Sequence, residues 1–174
     1  ILQEPDTRDW KLGLARALLA MESFRPAAAL FASMVDEDPS DHTAWLLQAN
    51  AFIGLDQPEA AAVNLEAVRM LGKADESTLV LLGDIYMNAR MHELAKSAYL
   101  EVVRTDRKGT ELPTALRAVD LLHRSGADTD AAELLKSIDG RYKNPGKERE
   151  LELLTLKAKV ARAQGRAGEA ARLL

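Results

Sequence analysis

Three histidines and one acidic run are the side chains of this sequence with the clearest capacity for chemistry. His42, His92 and His123 could act as general bases or metal ligands, and the Asp-Glu-Asp run at 36–38 could supply paired carboxylates. No histidine, however, pairs with a carboxylate or a second histidine at a metal-ligand spacing. The acidic run falls at a predicted helix end, where solvated carboxylates are common. We therefore expect a chain that is not an enzyme and that holds no metal and no cofactor.

The composition removes further classes of site. There are no cysteines, which excludes disulfides, thiolate metal sites and a cysteine nucleophile, and the glycines form no phosphate-binding loop. With 23 basic and 27 acidic side chains, the net charge of -4 offers no large positive field to a nucleic acid. The cluster Arg104, Arg107 and Lys108 is expected near a helix C-terminus because cations interact well with the helix dipole there. We expect no nucleic-acid partner and, since no stretch is long and apolar enough to cross a bilayer, no direct membrane insertion.

The elements that position these side chains follow from similar residues that recur 34 positions apart. The recurring sets are Ala15, Ala49 and Gly83; Leu18, Phe52 and Tyr86; Ala27, Ala61 and Ala95; Phe31, Leu65 and Tyr99; and Met34, Val68 and Val102. Five sets in one register mark an array of small units, each packed mainly on its neighbours, rather than one globular core.

Each unit contains two segments of helical periodicity separated by a short turn. The predicted helices span 8–21, 24–37, 42–54, 58–71, 76–89 and 92–105. Pro39 ends the second helix, and Ser40 or Asp41 can cap the next one. The spacing then loosens, because Ala131 and Ala170 follow Ala95 after 36 and a further 39 residues. The extra length is predicted to form surface loops at 107–113 and 140–147.

This pattern resembles the tetratricopeptide repeat (TPR), whose signature combines large and small apolar residues on two helices with a terminal proline. The third unit matches best, through Leu79, Leu82, Gly83, Tyr86, Ala95 and Tyr99. Departures include Gln48 in place of the usual leucine, and Lys73 and Arg107 in place of the linker proline. Pentatricopeptide repeats, which read RNA, have a similar period, but their signature fits these helices less well.

The resemblance implies an all-α, right-handed superhelical solenoid of about five helix pairs. The single domain at 1–174 would contain repeats at 8–41, 42–75, 76–109 and 112–146 and a truncated repeat at 151–174. Residues 1–7 would be the tail of a preceding repeat, so that the chain would be a fragment of a longer array.

In the family, the first helices of the repeats line a concave groove that holds a peptide or a partner helix. The groove pattern carried over to this sequence selects Leu12, Arg16, Leu19, Leu46, Asn50, Ile53, Val80, Asp84 and Met87, with Leu116, Asp120, His123 and Lys159 continuing the rows. Asn50 could bond a peptide backbone through both ends of its amide. The alternative for the apolar members is internal packing, and for Asn50 it is a solvated polar residue.

The resemblance thus implies a non-catalytic protein–protein interaction scaffold, with a bacterial envelope assembly or secretion system as one setting. An alternative is an accessory or regulatory segment of a larger enzyme or polysaccharide-export protein. A third is a groove filled by the protein's own terminal helix or, through self-association, by a second copy. The clamp that binds acidic chaperone tails is rejected, because only Asn50 matches it in kind. The sequence does not distinguish a cytoplasmic from a periplasmic location.

Overall fold

A computed structural model of the chain describes residues 7–173, and all regular secondary structure in that part is helical. Consecutive helices form helix–turn–helix pairs, which confirms the predicted all-α repeat architecture of five helix pairs. The chain divides into two compact units, Ile1–Asp75 (unit 1) and Glu76–Leu174 (unit 2). Most of the expected tail at 1–7, and Leu174, lie outside the described residues. Within 7–173, no helix has both the length and the apolar character needed to cross a bilayer.

Unit 1 consists of two helix pairs whose starts are set by local chemistry. Asp41 caps the third helix by accepting hydrogen bonds from the backbone N–H groups of Thr43 and Ala44 at 3.1 and 3.2 Å. Pro58 begins the fourth helix, where a missing N–H costs nothing. The helices are α1 (Thr7–Ala20), α2 (Phe24–Glu37), α3 (His42–Gly54) and α4 (Pro58–Met70).

The core of unit 1 is built from the recurring residues of the sequence. Ala15, Ala27 and Phe31 are each 0% exposed, so α1 and α2 approach closely and one ring fills the space beside them. Gln48, which departs from the family pattern, is buried as well: its amide nitrogen donates to the carbonyl of Ala28 (3.1 Å) and its oxygen accepts from Asn64 (2.9 Å). A buried glutamine is tolerated here because both ends of its amide are hydrogen-bonded.

Unit 2 contains three further helix pairs. Its core again uses the recurring positions, with Ala95, Tyr99 and Ala131 at most 1% exposed. A Cβ atom added to Gly83 would lie only 2.6 Å from the ring of Tyr99, so this position needs glycine. The helices are α5 (Glu76–Asn88), α6 (His92–Thr105), α7 (Leu112–Arg124), α8 (Asp128–Arg141), α9 (Lys147–Ala163) and α10 (Ala167–Leu173).

Three predicted helices end one residue too late in the sequence analysis, at 21, 71 and 89. The structure ends them at 20, 70 and 88, and two residues later the backbone turns left-handed, at Glu22 (φ 57°), Gly72 (φ 67°) and Arg90 (φ 58°). The N–H of the next residue then bonds back to the carbonyl five positions earlier, at 2.8–3.1 Å. This C-capping motif closes the helix before the apolar pattern ends.

The two predicted loops are shorter than expected. The structure places them at 106–111 and 142–146, because Pro113 already lies in the first turn of α7 and Gly140 in the last turn of α8. Gly126 and Gly165 lie in the turns within helix pairs, as predicted.

Candidate partner-binding surfaces

The apolar groove residues predicted in unit 1 lie on the first helices of its pairs, α1 and α3. Leu12 and Leu19 are half-buried and pack against the core cluster of the unit, so internal packing accounts for part of their surface. Leu46 is half-buried and Ile53 is 41% exposed. These four side chains therefore both support the fold and leave apolar surface accessible.

The polar groove residues of unit 1, Arg16 and Asn50, are exposed. Nearby ionic side chains are already used, since Arg8 pairs with Asp41 at 2.5 Å and Lys11 pairs with Glu37. Within residues 7–173, neither Arg16 nor Asn50 makes a side-chain hydrogen bond or ion pair. Their donors and acceptors are free to meet a ligand.

In unit 2, the predicted groove residue Asp84 is already engaged. Its carboxylate accepts a hydrogen bond from the hydroxyl of Tyr99 at 2.5 Å and binds the guanidinium of Arg117 through both oxygens at 3.0 Å. Burial, and then the hydrogen bond to Asp84, raise the pKa of Tyr99 above its usual value. Asp84 therefore joins α5 to α6 and α7, so part of its side chain serves the fold and not a ligand.

The other members of the predicted rows in unit 2 divide into two groups. Val80 and Met87 of α5 are half-buried and retain accessible surface. Leu116, expected to continue the apolar row, is 0% exposed. The reason is that α7 packs against α5, α6, α8 and α9, so its apolar stripe belongs to the core of the unit.

An open groove runs between α7 and α9 in unit 2, and two adjoining hollows of about 620 and 510 Å³ form it. Both hollows are lined by Asp120 and Lys159, two residues of the predicted polar row. The α7–α9 groove is lined by Leu116, Arg117, Asp120, His123, Arg124, Glu148, Leu151, Glu152, Thr155, Leu156, Lys159, Arg162 and Ala163.

Charge is separated along the α7–α9 groove. Glu148 and Glu152 lie near the start of α9, whereas Lys159 and Arg162 lie towards its end. Among the described residues, Lys159 and Arg162 have no hydrogen-bond or ion-pair partner. Leu151 lines the acidic part and is 66% exposed. The groove thus offers an apolar contact together with unsatisfied charge, which suits a polypeptide better than a small apolar ligand.

His123 contacts a carboxylate that the sequence analysis, which considered metal-ligand spacings, did not identify. Its Nδ1 atom lies 2.6 Å from a carboxylate oxygen of Asp128, across the turn between α7 and α8. The contact joins the end of one helix to the start of the next. In the part of the chain that the structure describes, no three histidine or acidic side chains group as metal ligands.

Sequence reasoning missed Arg117 and Leu151 because they lie outside the groove register of the family. A signal for Arg117 was nevertheless present: it stands 33 residues after Asp84, the same separation that joins Arg8 to Asp41 in unit 1. In both cases, two residues of opposite charge that are 33 positions apart form an ion pair between neighbouring repeats. The exposure of Leu151 has no comparable signal, since it depends on the longer helix α9.

Comparisons with known proteins bear on the fold. No family model matches the chain, and no curated protein does. Among solved structures, the chain is similar to YrrB, described as a TPR protein with an unusual peptide-binding site, at 14% identity and a TM-score of 0.62, over 94% of this chain and 80% of that one. It is also similar to MamA, at 12% identity and a TM-score of 0.64, over 95% of this chain and 86% of that one. A second MamA structure matches at 19% identity and a TM-score of 0.54, over 95% and 92% of the two chains. The chain therefore has a TPR-like fold, as the sequence pattern predicts.

Proposed function

We propose that this chain is a non-catalytic interaction scaffold that binds a peptide or partner helix on the faces of its first helices. The observation that carries the proposal is the α7–α9 groove, an open channel with unsatisfied cations and an exposed leucine. In unit 1, the accessible surface of α1 and α3 supports the same role, because exposed Arg16 and Asn50 lie among half-buried leucines.

A binding role agrees with the distribution of polar groups. Interfaces combine apolar anchors with a polar rim, and both are present in the α7–α9 groove. The carboxylates and cations of this groove differ in position along α9, so a bound segment would be selected by charge as well as shape. The similarity to YrrB, whose description includes a peptide-binding site, supports the proposal by analogy of fold.

Site-specific photocrosslinking in the native cell tests the proposal. A photoreactive amino acid at Asn50 or Lys159 reports on first-helix faces, and the same amino acid at Val63 or Lys136 reports on second helices. All four positions are exposed, so accessibility is matched. We expect a discrete crosslinked protein from the first-helix positions and none from the other two. Equal crosslinking from all four, or crosslinking from the second helices alone, would refute the assignment.

A further inference from the structure

The loops that connect the helix pairs of unit 2 carry a feature that partner binding on the first helices does not use. The first loop, at 106–111, lengthens the spacing between repeats, whereas the second, at 142–146, is only as long as the linker at 71–75, and the extra length of that repeat lies mainly in α9. Residues 106–111 and 141–147 contain five basic and two acidic side chains, in a chain whose net charge is -4. The two loops, with Arg141 at the end of α8 and Lys147 at the start of α9, therefore concentrate positive charge at one edge of unit 2. The cationic edge is formed by Arg107, Lys108, Arg141, Lys143 and Lys147.

A single buried carboxylate orders the first loop. Asp106 is 1% exposed, and one of its oxygens accepts from the N–H groups of Lys108, Gly109 and Thr110 at 3.1, 2.8 and 3.2 Å. The other oxygen accepts from the N–H of Glu111 at 2.9 Å. Four backbone donors on one carboxylate fix the course of the loop, so the side chains of Arg107 and Lys108 project from a rigid base.

The same carboxylate fastens the second loop to the first. The hydroxyl of Tyr142 donates to Asp106 at 2.7 Å, and the guanidinium of Arg141 donates to the carbonyl oxygen of Asp106. Residues 141–142 therefore lie directly against the turn at 106–111. The two segments that carry the cations are thereby held against each other.

The cations of this edge form no ion pair with a carboxylate of the described residues, and Glu111 is the one other carboxylate of the first loop, near Tyr142. The side chains of Arg107, Lys108 and Lys147 are exposed and have no hydrogen-bond or ion-pair partner within 7–173. Lys143 donates only to a backbone carbonyl, at 3.0 Å. The negative charge of Asp106 is enclosed by its own donors.

From this arrangement we infer that the cationic edge of unit 2 docks an acidic segment of a protein partner, one that presents several Asp or Glu side chains. Rigid placement of the cations lowers the entropy lost on binding, so several weak contacts can add up. A single exposed ion pair contributes little to the free energy of binding. A fixed set of cations that faces a segment of complementary charge, however, gives specificity and fast association.

The chemistry of the loops favours an acidic protein segment over other anions. Residues 106–111 and 142–146 expose no large apolar side chain that could insert into a bilayer, and the one aromatic residue, Tyr142, is half-buried and bonded to Asp106. A nucleic acid would need stacking aromatics or a longer basic track.

The test measures binding of a fluorescent oligo-glutamate peptide of about ten residues to the full chain by fluorescence anisotropy. An oligo-glutamine peptide of the same length is the uncharged reference. The triple variant R107Q/K108Q/K147Q removes three charges from the cationic edge. The matched control R25Q/K136Q/R172Q removes three exposed, unpaired charges elsewhere in the described chain. We expect oligo-glutamate affinity to fall about tenfold in the edge variant and less than about twofold in the control. Equal losses in the two variants would overturn the inference, because they would reflect net charge alone.

Two further measurements separate this surface from its rivals. K159Q/R162Q removes the free cations of the α7–α9 groove, and we expect it to leave oligo-glutamate binding within about twofold of wild type. If it abolishes binding instead, the acidic probe occupies the groove and the cationic edge is not the site. Vesicles containing phosphatidylserine should bind wild type and edge variant equally weakly. Strong vesicle binding that the edge variant loses would assign the edge to membranes and overturn the docking of a protein.

Discussion

Asp38 in unit 1 and Asp106 in unit 2 occupy the same position of the repeat, 68 residues apart, and each follows the second helix of a pair. Asp38 is exposed, and its carboxylate accepts hydrogen bonds only from the N–H and hydroxyl of Ser40, at 3.0 and 2.6 Å, among the described residues. Asp106 is buried and binds four backbone N–H groups and Tyr142. The same residue type stabilises a short linker in one unit and holds two loops together in the other.

The two units also differ in net charge, and unit 2 is the more positive. Unit 1 contains six basic and twelve acidic side chains, whereas unit 2 contains seventeen and fifteen. The packing rule is nevertheless common to both, since Ala27 and Ala95 are fully buried at the same register position. Much of the divergence between the units therefore lies in loops and surface charge, where change costs little stability, and the contacts of the small recurring residues are retained.

The largest expected effect tests whether both units depend on the same core position. Phe31→Ala in unit 1 should cost about 3–5 kcal/mol, because a fully buried ring leaves a cavity. Tyr99→Ala in unit 2 should cost at least as much, because Asp84 also loses the hydrogen bond from the Tyr99 hydroxyl. Urea denaturation measures the free energy of unfolding, and hydrogen exchange assigns the loss to a unit. A loss below about 1 kcal/mol for Phe31→Ala would show that the ring does not pack as described.

Asp106→Asn sharpens the comparison with Asp38. Burial alone would raise the pKa of Asp106, but the hydrogen bonds from Tyr142 and the loop N–H groups outweigh it and lower the pKa. The carboxylate therefore stabilises the fold above its unfolded pKa of about 4, and this contribution is lost as pH falls through the folded value.

At neutral pH we expect Asp106→Asn to lose about 1–3 kcal/mol, and the gap to wild type should narrow below about pH 4. Asp38→Asn is the control and should have a much smaller effect, since its carboxylate is exposed. Thermal melting across pH follows both variants. A constant gap at all pH values would contradict the role given to the Asp106 charge.

Gln48 and Asn64 in unit 1 stand where unit 2 has Leu82 and Ala98. Gln48→Leu should destabilise by about 1–2 kcal/mol, because it leaves the buried Asn64 amide and the Ala28 carbonyl without partners. Adding Asn64→Ala, which converts the pair to the unit 2 combination, should recover part of the loss. A double-mutant cycle by urea denaturation tests this, and additive losses would mean that the two amides do not act as a pair.

The smallest expected effect concerns the left-handed turns of both units. Glu22 and Arg90 adopt φ near +57° at a position where later repeats have Gly126 and Gly165. Replacing either by glycine should stabilise the protein by roughly 0.5–1 kcal/mol, because the steric cost exceeds the added unfolded-state entropy. Calorimetric melting checks both variants, and a lower melting temperature for either would contradict the strain assigned to its turn.

Much of the fold could be predicted from the sequence because it depends on local spacing. Three of the six helices bounded beforehand begin and end where the periodicity places them, namely α2, α3 and α6. The pairing of Asp84 with Tyr99 could not be predicted, because it depends on how α5 and α6 orient their polar groups. The role of Asp106 was hidden for a similar reason: its donors come from a loop whose register departs from the repeat.

The central claim is that a partner binds on the faces of the first helices. It is tested most directly by measuring the affinity of the crosslinked partner for an Arg16→Ala/Asn50→Ala variant. Both side chains are exposed and unpaired within the described residues, so the melting temperature should stay within about 1 °C of wild type. With the fold intact, isothermal titration should show binding weakened by about tenfold or more. Binding of wild-type strength by this intact variant would contradict recognition on the first-helix face of unit 1.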